Sequence, residues 1–253
     1  MKRLIALLTL LPLLGMGGGQ YTIPWHTGAT AAAAAIPTPL NWWKLNGTVT
    51  DEEGANNGTW AGSAGCSGTY YQAGVNQTYD GCFVSVNSNY ISTANATGYS
   101  TGSGAWTVTM WVYESSMEPV FEMLFGYGTF SDHGNVQTAI GNGSGSNNHI
   151  CFIPGSGNNY CGTTNVSIGA WHFVAVTYAA GATSITTDVD GTTQSVSIVS
   201  ALNVTTAGTY PPVIGNLTSS YYDFYNGAMA DVRYYTSALT ITQLNAIQAQ
   251  NYY

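Results

Sequence analysis

From Asn41 onward the chain is written in short runs of alternating apolar and polar residues separated by Gly-rich turns, with almost no helical periodicity before residue 240. Alternation of this kind turns apolar side chains to one face of a strand, and a 3.6-residue period is needed for an amphipathic helix. In Trp106-Thr-Val-Thr-Met-Trp-Val-Tyr113 the pattern sets Trp106, Val108, Met110 and Val112 on one face. Trp171-His-Phe-Val-Ala-Val-Thr-Tyr178 is apolar on both faces, which predicts a central strand. Ser184-Ile-Thr-Thr-Asp-Val-Asp190 alternates again and runs into Asp190-Gly191, a tight-hairpin signal. Segments 120–125 and 149–153 add two more strands. At the end, Thr240-Ile-Thr-Gln243 matches a capping box and turns Leu244 and Ile247 inward on a short helix. Many short strands with no intervening helices predict an all-β fold, a two-sheet antiparallel jelly-roll sandwich over residues 41–253 with a short C-terminal helix.

The first nineteen residues read differently. Lys2 and Arg3 precede an apolar run from Leu4 to about Met16, and Gly17 to Gly19 offer small residues for cleavage. This is the layout of a secretory signal peptide, and the apolar run is short for a membrane span. The expected location is secreted, extracellular or cell-surface. Residues 20–40 are rich in Ala, Pro and Thr and read as a leader or linker. Such a segment serves either as a spacer or as an extended strand that docks on a neighbouring subunit's sheet edge.

Charge narrows the partners. Beyond Lys2 and Arg3 only Lys44 and Arg233 stand against twelve Asp and Glu. That leaves no phosphate-binding footprint, so nucleic acid and anionic membrane surfaces are disfavoured. A surface of Asn, Thr, Ser, Gly and Tyr suits secreted proteins that meet sugars or each other. Four cysteines fit an oxidising compartment and allow three pairings. Cys66–Cys82 and Cys151–Cys161 are the preferred pairs, since each flanks a loop between extended segments. No Cys-x-x-Cys pair argues for a metal instead.

Several segments, in order, carry a resemblance. Trp42-Trp-Lys-Leu-Asn-Gly47 with Asp51-Glu-Glu-Gly54 comes first, then Cys82-Phe-Val-Ser-Val86, Tyr90-Ile-Ser92 and Trp106 to Val112. Trp171 to Tyr178 with Asp188-Val-Asp-Gly191 follows, and Pro212-Val-Ile-Gly215 with Tyr225 to Tyr234 closes the set. Together they resemble the laminin-G-like domains of the concanavalin A-like lectin/glucanase superfamily, from about Trp42 to Ile247. The resemblance implies two antiparallel sheets packed face to face. It also implies that calcium is a possible cofactor, tying the first turn to the last strand. Asp51 would serve at the first turn and Asp231 on the last strand. Ala230 stands where relatives carry an acidic residue, and strand alternation aims Asp231 to the other face.

Catalytic relatives of this fold set two carboxylates on one strand, about 5–5.5 Å apart for a retaining mechanism. The acidic cluster here is Glu114-Ser-Ser-Met-Glu118, then Glu122; Glu114 and Glu118 sit beside Ser-Ser and before Pro119 and read as solvated loop carboxylates. No Gly-x-Ser-x-Gly or His-Glu-x-x-His motif occurs, and His26, His133, His149 and His172 are scattered. Gly141-Asn-Gly-Ser-Gly145 precedes no helix and reads as a surface loop. The expectation is a protein that is not an enzyme.

Two features could carry function. Eight Asn-x-Ser/Thr sequons occur, at Asn46, Asn57, Asn76, Asn95, Asn142, Asn165, Asn203 and Asn216, and read either as glycosylation sites or as Asn/Thr-rich composition. Eighteen Tyr and seven Trp supply aromatic faces for sugars or for subunit contacts. Tyr221, Tyr222, Asp223 and Tyr225 lie just before the last strand and are candidate ligand residues. The leading expectation is a noncatalytic glycan-binding or adhesion protein that meets a carbohydrate or cell-surface ligand. The other is a self-assembling subunit of an extracellular filament, sheath or virion surface.

Overall fold

A computed structural model describes residues 35–54, 56–61, 70–71, 78–79, 82–84, 89–116, 121–131, 133–141, 148–155, 158–206, 211–216 and 224–250. Sixteen strands and one helix lie among them: β1 Asn41–Trp43, β2 Gly58–Ala61, β3 Tyr70–Tyr71, β4 Thr78–Tyr79, β5 Cys82–Val84, β6 Tyr90–Thr93, β7 Trp106–Glu114, β8 Glu122–Gly128, β9 Asn135–Ile140, β10 His149–Phe152, β11 Tyr160–Asn165, β12 Trp171–Tyr178, β13 Ser184–Val189, β14 Thr192–Ser197, β15 Val213–Ile214, β16 Gly227–Tyr235 and α1 Ile241–Gln248.

The strands form two seven-stranded antiparallel sheets. The first runs β1-β16-β7-β12-β13-β14, with β5 also pairing β16, and the second runs β11-β10-β9-β8-β15-β6-β2. β3 and β4 form a separate two-stranded ribbon. The expected jelly-roll sandwich is therefore present. The alternation in β7 works as read: Trp106, Val108, Met110 and Val112 enter the intersheet core. Across the gap they meet Leu124, Phe125, Tyr127, Ile140, Ile150 and Phe152 of the second sheet. β12 is buried on both faces because Val174, Val176 and Tyr178 join that core while Phe173 and Ala175 pack outward under α1 with Tyr235, Leu244 and Ile247.

Many tyrosines are inside, not on the surface as the composition suggested. Tyr99, Tyr127 and Tyr234 stack together, with Tyr127 and Tyr234 hydroxyls 2.8 Å apart. Burial pushes all three phenols above their ordinary pKa. The cluster ties the closing strand to the second sheet, since the Tyr127 hydroxyl donates to Ser100 O and Ser100 N donates to the Tyr234 hydroxyl.

The Asp190-Gly191 turn joins β13 and β14 as predicted, with positive φ at both residues (51° and 81°), the requirement of a type I′ hairpin. Thr240 caps α1 and Gln243 returns the bond, completing the capping box. Cys151 and Cys161 sit opposite each other across β10 and β11 and form a disulfide. A loop this short gains about 3 kcal/mol in the chain-entropy account. Cys66 and the side chain of Cys82 lie outside the described residues.

The segment 120–125 was expected to be a strand; β8 begins at Glu122 and extends to Gly128. Ala35–Leu40 lie against the sandwich: Gln243 donates to Ala35 O, Ile36 packs on the helix cluster and Leu40 N donates to Tyr234 O. The signal-peptide reading and residues 20–34 fall outside the described residues. No helix among the described residues is long and apolar enough to cross a membrane.

One flank of the sandwich is closed by a side chain. Gln194 of β14 accepts from Thr163 N and Thr164 N of β11 and donates to the Thr163 hydroxyl. Gly162 makes this approach possible, because a Cβ there would sit 2.7 Å from both Gln194 Oε1 and Thr187 Oγ1.

Candidate functional site

The outer face of the first sheet carries an aromatic platform. Trp111 of β7 stands between Phe173 of β12 and Ala230 of β16, and Tyr113 between Trp171 and Ala228. The small side chains of Ala228 and Ala230 leave room for the neighbouring rings to lie down over β16, and these residues pack as one cluster. Trp111 meets Phe173 edge-on at 5.7 Å, and Tyr113 meets Trp171 at 5.8 Å. Trp111 and Tyr113 stay half-buried, so part of each ring faces solvent. Aromatic rings held in this way combine a large apolar area with little entropy to lose on binding. The rows of aromatic residues came from strands the sequence identified, but their lateral alignment depends on interstrand register.

Next to the platform, Trp42 of β1 pairs across from Arg233. Its ring holds Lys44 Nζ at 4.7 Å and Arg233 Cζ at 4.5 Å from the centroid. The Arg233 guanidinium is buried and grips Asp231 through Nε at 3.0 Å and Nη2 at 3.1 Å. Trp42 Nε1 donates to the same carboxylate at 2.5 Å. Burial pushes the Asp231 carboxyl up, against the pull of Arg233 and of these bonds.

Asp231 departs from the predicted orientation. A bulge between Ala230 and Arg233, with φ of 54° at Asp231, resets the alternation of β16. Ala230 packs with the outer aromatics and Asp231 joins Arg233 beside Trp42, so both are on the outer face.

The two carboxylates proposed for calcium are already engaged by N–H groups. Asp51 Oδ1 accepts from Trp42 N and Glu53 N, and Oδ2 from Asn41 Nδ2 and Asn56 N. Asp231 is gripped by Arg233 and Trp42. Calcium takes six to eight oxygens, and N–H donors aimed at these carboxylates repel a cation from the same lone pairs. Among the described residues no three His, Cys, Asp or Glu side chains gather as a metal set. Asp51 and Asp231 do not fit calcium; they organise the first turn and the last strand directly.

At one end of the sandwich the strands bring together residues that the sequence left scattered. Ser167 lies in the loop before β12, His172 is its second residue and Asp190 occupies the β13–β14 turn. Ser167 Oγ is 2.7 Å from His172 Nε2, and His172 Nδ1 is 2.6 Å from Asp190 Oδ2. Phe173 N donates to Asp190 Oδ1 at 2.9 Å and fixes the carboxylate. An acceptor at Nδ1 places the proton there and leaves Nε2 as the base toward Ser167. Ser167 is exposed, and the His172 and Asp190 side chains keep 15% and 40% exposure.

The acidic cluster is also reorganised. Glu114 ends β7 and Glu122 begins β8, both essentially fully buried, so neither is a solvated loop carboxylate. Alternation turns Glu114 inward at the mouth of the sandwich, and Glu122 accepts from Asn226 N at 2.9 Å. Glu118 lies outside the described residues.

Of the ligand residues read from sequence, Tyr225 is fully buried in the intersheet core and presents no ring to a ligand. Tyr221, Tyr222 and Asp223 lie outside the described residues, as do Asn76 and Asn142. Asn46, Asn57, Asn95, Asn165 and Asn203 are exposed, whereas Asn216 is buried.

The sequence profile of the concanavalin A-like lectin/glucanases superfamily matches residues 85–245. A search of curated proteins finds no match. Among solved structures, the fold is similar to domain 4 of AbnA, an extracellular arabinanase of Geobacillus stearothermophilus solved in complex with arabinotriose. Identity is 17% and the TM-score 0.62, over 85% of this chain and all of that one. A putative carbohydrate-binding protein of Bacteroides ovatus matches at 19% identity and a TM-score of 0.50, over 62% of this chain and 43% of that one. A botulinum neurotoxin type C structure, described as depending on two ganglioside molecules for cell entry, matches at 10% identity and 0.56 over 85% of this chain and 51% of that one. The chain thus spans about half of the neurotoxin chain. At these identities the likeness establishes the fold.

Proposed function

Because the chain belongs to the concanavalin A-like lectin/glucanase superfamily, we propose that it is a secreted glycan-binding protein of the cell surface that does not cleave glycosidic bonds. The observation that carries this reading is the aromatic platform on the outer face of the first sheet, where half-buried Trp111 and Tyr113 rest on buried Trp171. Structural neighbours named for carbohydrate binding, or solved with an oligosaccharide, support it. The disulfide between Cys151 and Cys161 suits an oxidising location.

The ligand class follows from the platform. Rings stack on the apolar face of a pyranose or furanose, and the scarcity of free cations favours neutral over anionic sugars. The two carboxylates of the core mouth do not set up hydrolysis in this reading. Glu122 is held by a backbone N–H, and Glu114 is buried beneath the rim.

Titration of the full chain against a panel of neutral oligosaccharides, arabinan fragments included, tests the proposal. Saturable binding is expected, and Trp111→Ala should weaken it about tenfold, the equivalent of about 1.4 kcal/mol. Tyr113→Phe should retain it. Binding by no glycan in the panel, or equal binding by Trp111→Ala with an unchanged melting temperature, defeats the reading. Regular polymers in electron micrographs of the native protein, with no sugar binding, would favour the structural-subunit alternative.

A further inference from the structure

We propose that Ser167 is a nucleophilic serine, activated by His172 and Asp190, that takes an acyl group from a carboxylic ester. The proposal concerns the end of the sandwich and requires nothing of the aromatic platform.

Three observations carry it. The hydroxyl, the imidazole and the carboxylate form a continuous line of hydrogen bonds at 2.7 and 2.6 Å, within the reach needed for proton transfer. Asp190 is itself fixed, by Phe173 N at 2.9 Å and by the positive-φ hairpin turn, so the imidazole is held in one tautomer. Ser167 is exposed, and its neighbour Ile168 is 48% exposed, which gives an acyl chain an apolar surface beside the hydroxyl.

The step balances without a further reagent. The Ser167 Oγ–C bond forms as the hydroxyl proton moves to His172 Nε2, and the carbonyl electron pair moves onto oxygen. That pair returns as the ester C–O bond breaks, and the leaving alcohol takes the proton from Nε2. Water repeats the sequence on the acyl-serine, releasing the acid and restoring the hydroxyl. Ser167 N also points at Nε2, at 3.2 Å. Once Nε2 carries the proton it can no longer accept that N–H. The open setting, with Ser167 and Ile168 both exposed, suits a small acyl group on an accessible alcohol.

The experiment uses the full chain and diisopropyl fluorophosphate. This reagent forms a Ser O–P bond, breaks the P–F bond and releases fluoride with the hydroxyl proton. Intact mass and peptide mapping should show one adduct, on Ser167. Ser167→Ala should abolish it, and His172→Gln should slow it about 100-fold. Asp190→Asn keeps a residue that tolerates the left-handed turn, so it tests the carboxylate without removing the hairpin, and should slow labelling at least about tenfold. Turnover of p-nitrophenyl acetate by the unmodified chain should fall in parallel with labelling across the series. No adduct on the wild-type chain overturns the proposal. So does labelling of Ser167 at equal rates in wild type, His172→Gln and Asp190→Asn, because a merely structural hydrogen-bond chain predicts no dependence on the imidazole or the carboxylate.

Discussion

Asp188 shows how one residue can set the acid response of a fold. It sits on β13 opposite Ala175, almost fully buried, with Oδ1 accepting from Gly191 N at 3.0 Å. Burial raises its pKa above the ordinary carboxylate value, the Gly191 N–H opposes this, and Asp190 adds to it. The folded chain therefore holds this proton more tightly than the unfolded chain. The stability tied to this group is fully present below the unfolded value and is lost as pH rises through the raised folded value. Asp188→Asn keeps an acceptor for Gly191 and removes the ionisation. It should raise the urea midpoint at about pH 7, leave it nearly unchanged at about pH 3, and flatten the dependence between them. Single-residue environments of this kind were hard to read from sequence. Glu114 looked exposed because Ser-Ser and a proline follow it, yet β7 continues through it into the core mouth. Tyr225 looked like a rim aromatic, but it precedes a strand whose inward face needs a ring.

At the scale of elements, local chemistry was the better guide. The α1 capping box is complete: Gln243 N donates to the Thr240 hydroxyl at 3.3 Å and Thr240 N to Gln243 Oε1 at 2.9 Å. Thr240→Ala should cost about 1 kcal/mol and lower the melting temperature by about 2–4 °C, followed by circular dichroism. The effect reaches the sheet, since α1 covers Phe173 and Ala175. The hairpin at Asp190-Gly191 and the alternation of β7 were equally legible, because each depends on neighbours in the chain. The bulge in β16 was not, since it arises from pairing with β7 and inverts the face of every residue beyond it. The same limit hid Ser167, His172 and Asp190. A loop, a strand start and a turn converge only after β12 has paired with β13, which no spacing within the sequence announces.

For the whole molecule, the resemblance to laminin-G-like domains gave the correct layers, while the two carboxylates it offered to a possible calcium ion, Asp51 and Asp231, are engaged by N–H donors instead. The first turn and the last strand are tied together by Trp42, which donates from its backbone to Asp51 and from its indole to Asp231. Adding calcium or a chelator should therefore leave the melting temperature unchanged. A site filled at a hundredfold excess over its Kd would instead add about 2.7 kcal/mol, several degrees for a chain of this size. A calorimetric shift on chelation would show that ligands lie elsewhere in the chain.

Gln194 has a consequence for growth. A row of molecules joined by strand addition must both give and receive an edge, as links in a chain need two free ends. Where Gln194 spends its amide on Thr163 and Thr164, the facing edges of β11 and β14 greet each other instead of a newcomer. A fibre that extended through both flanks would first have to unfasten this clasp; copies that met along the opposite flank would stop at pairs.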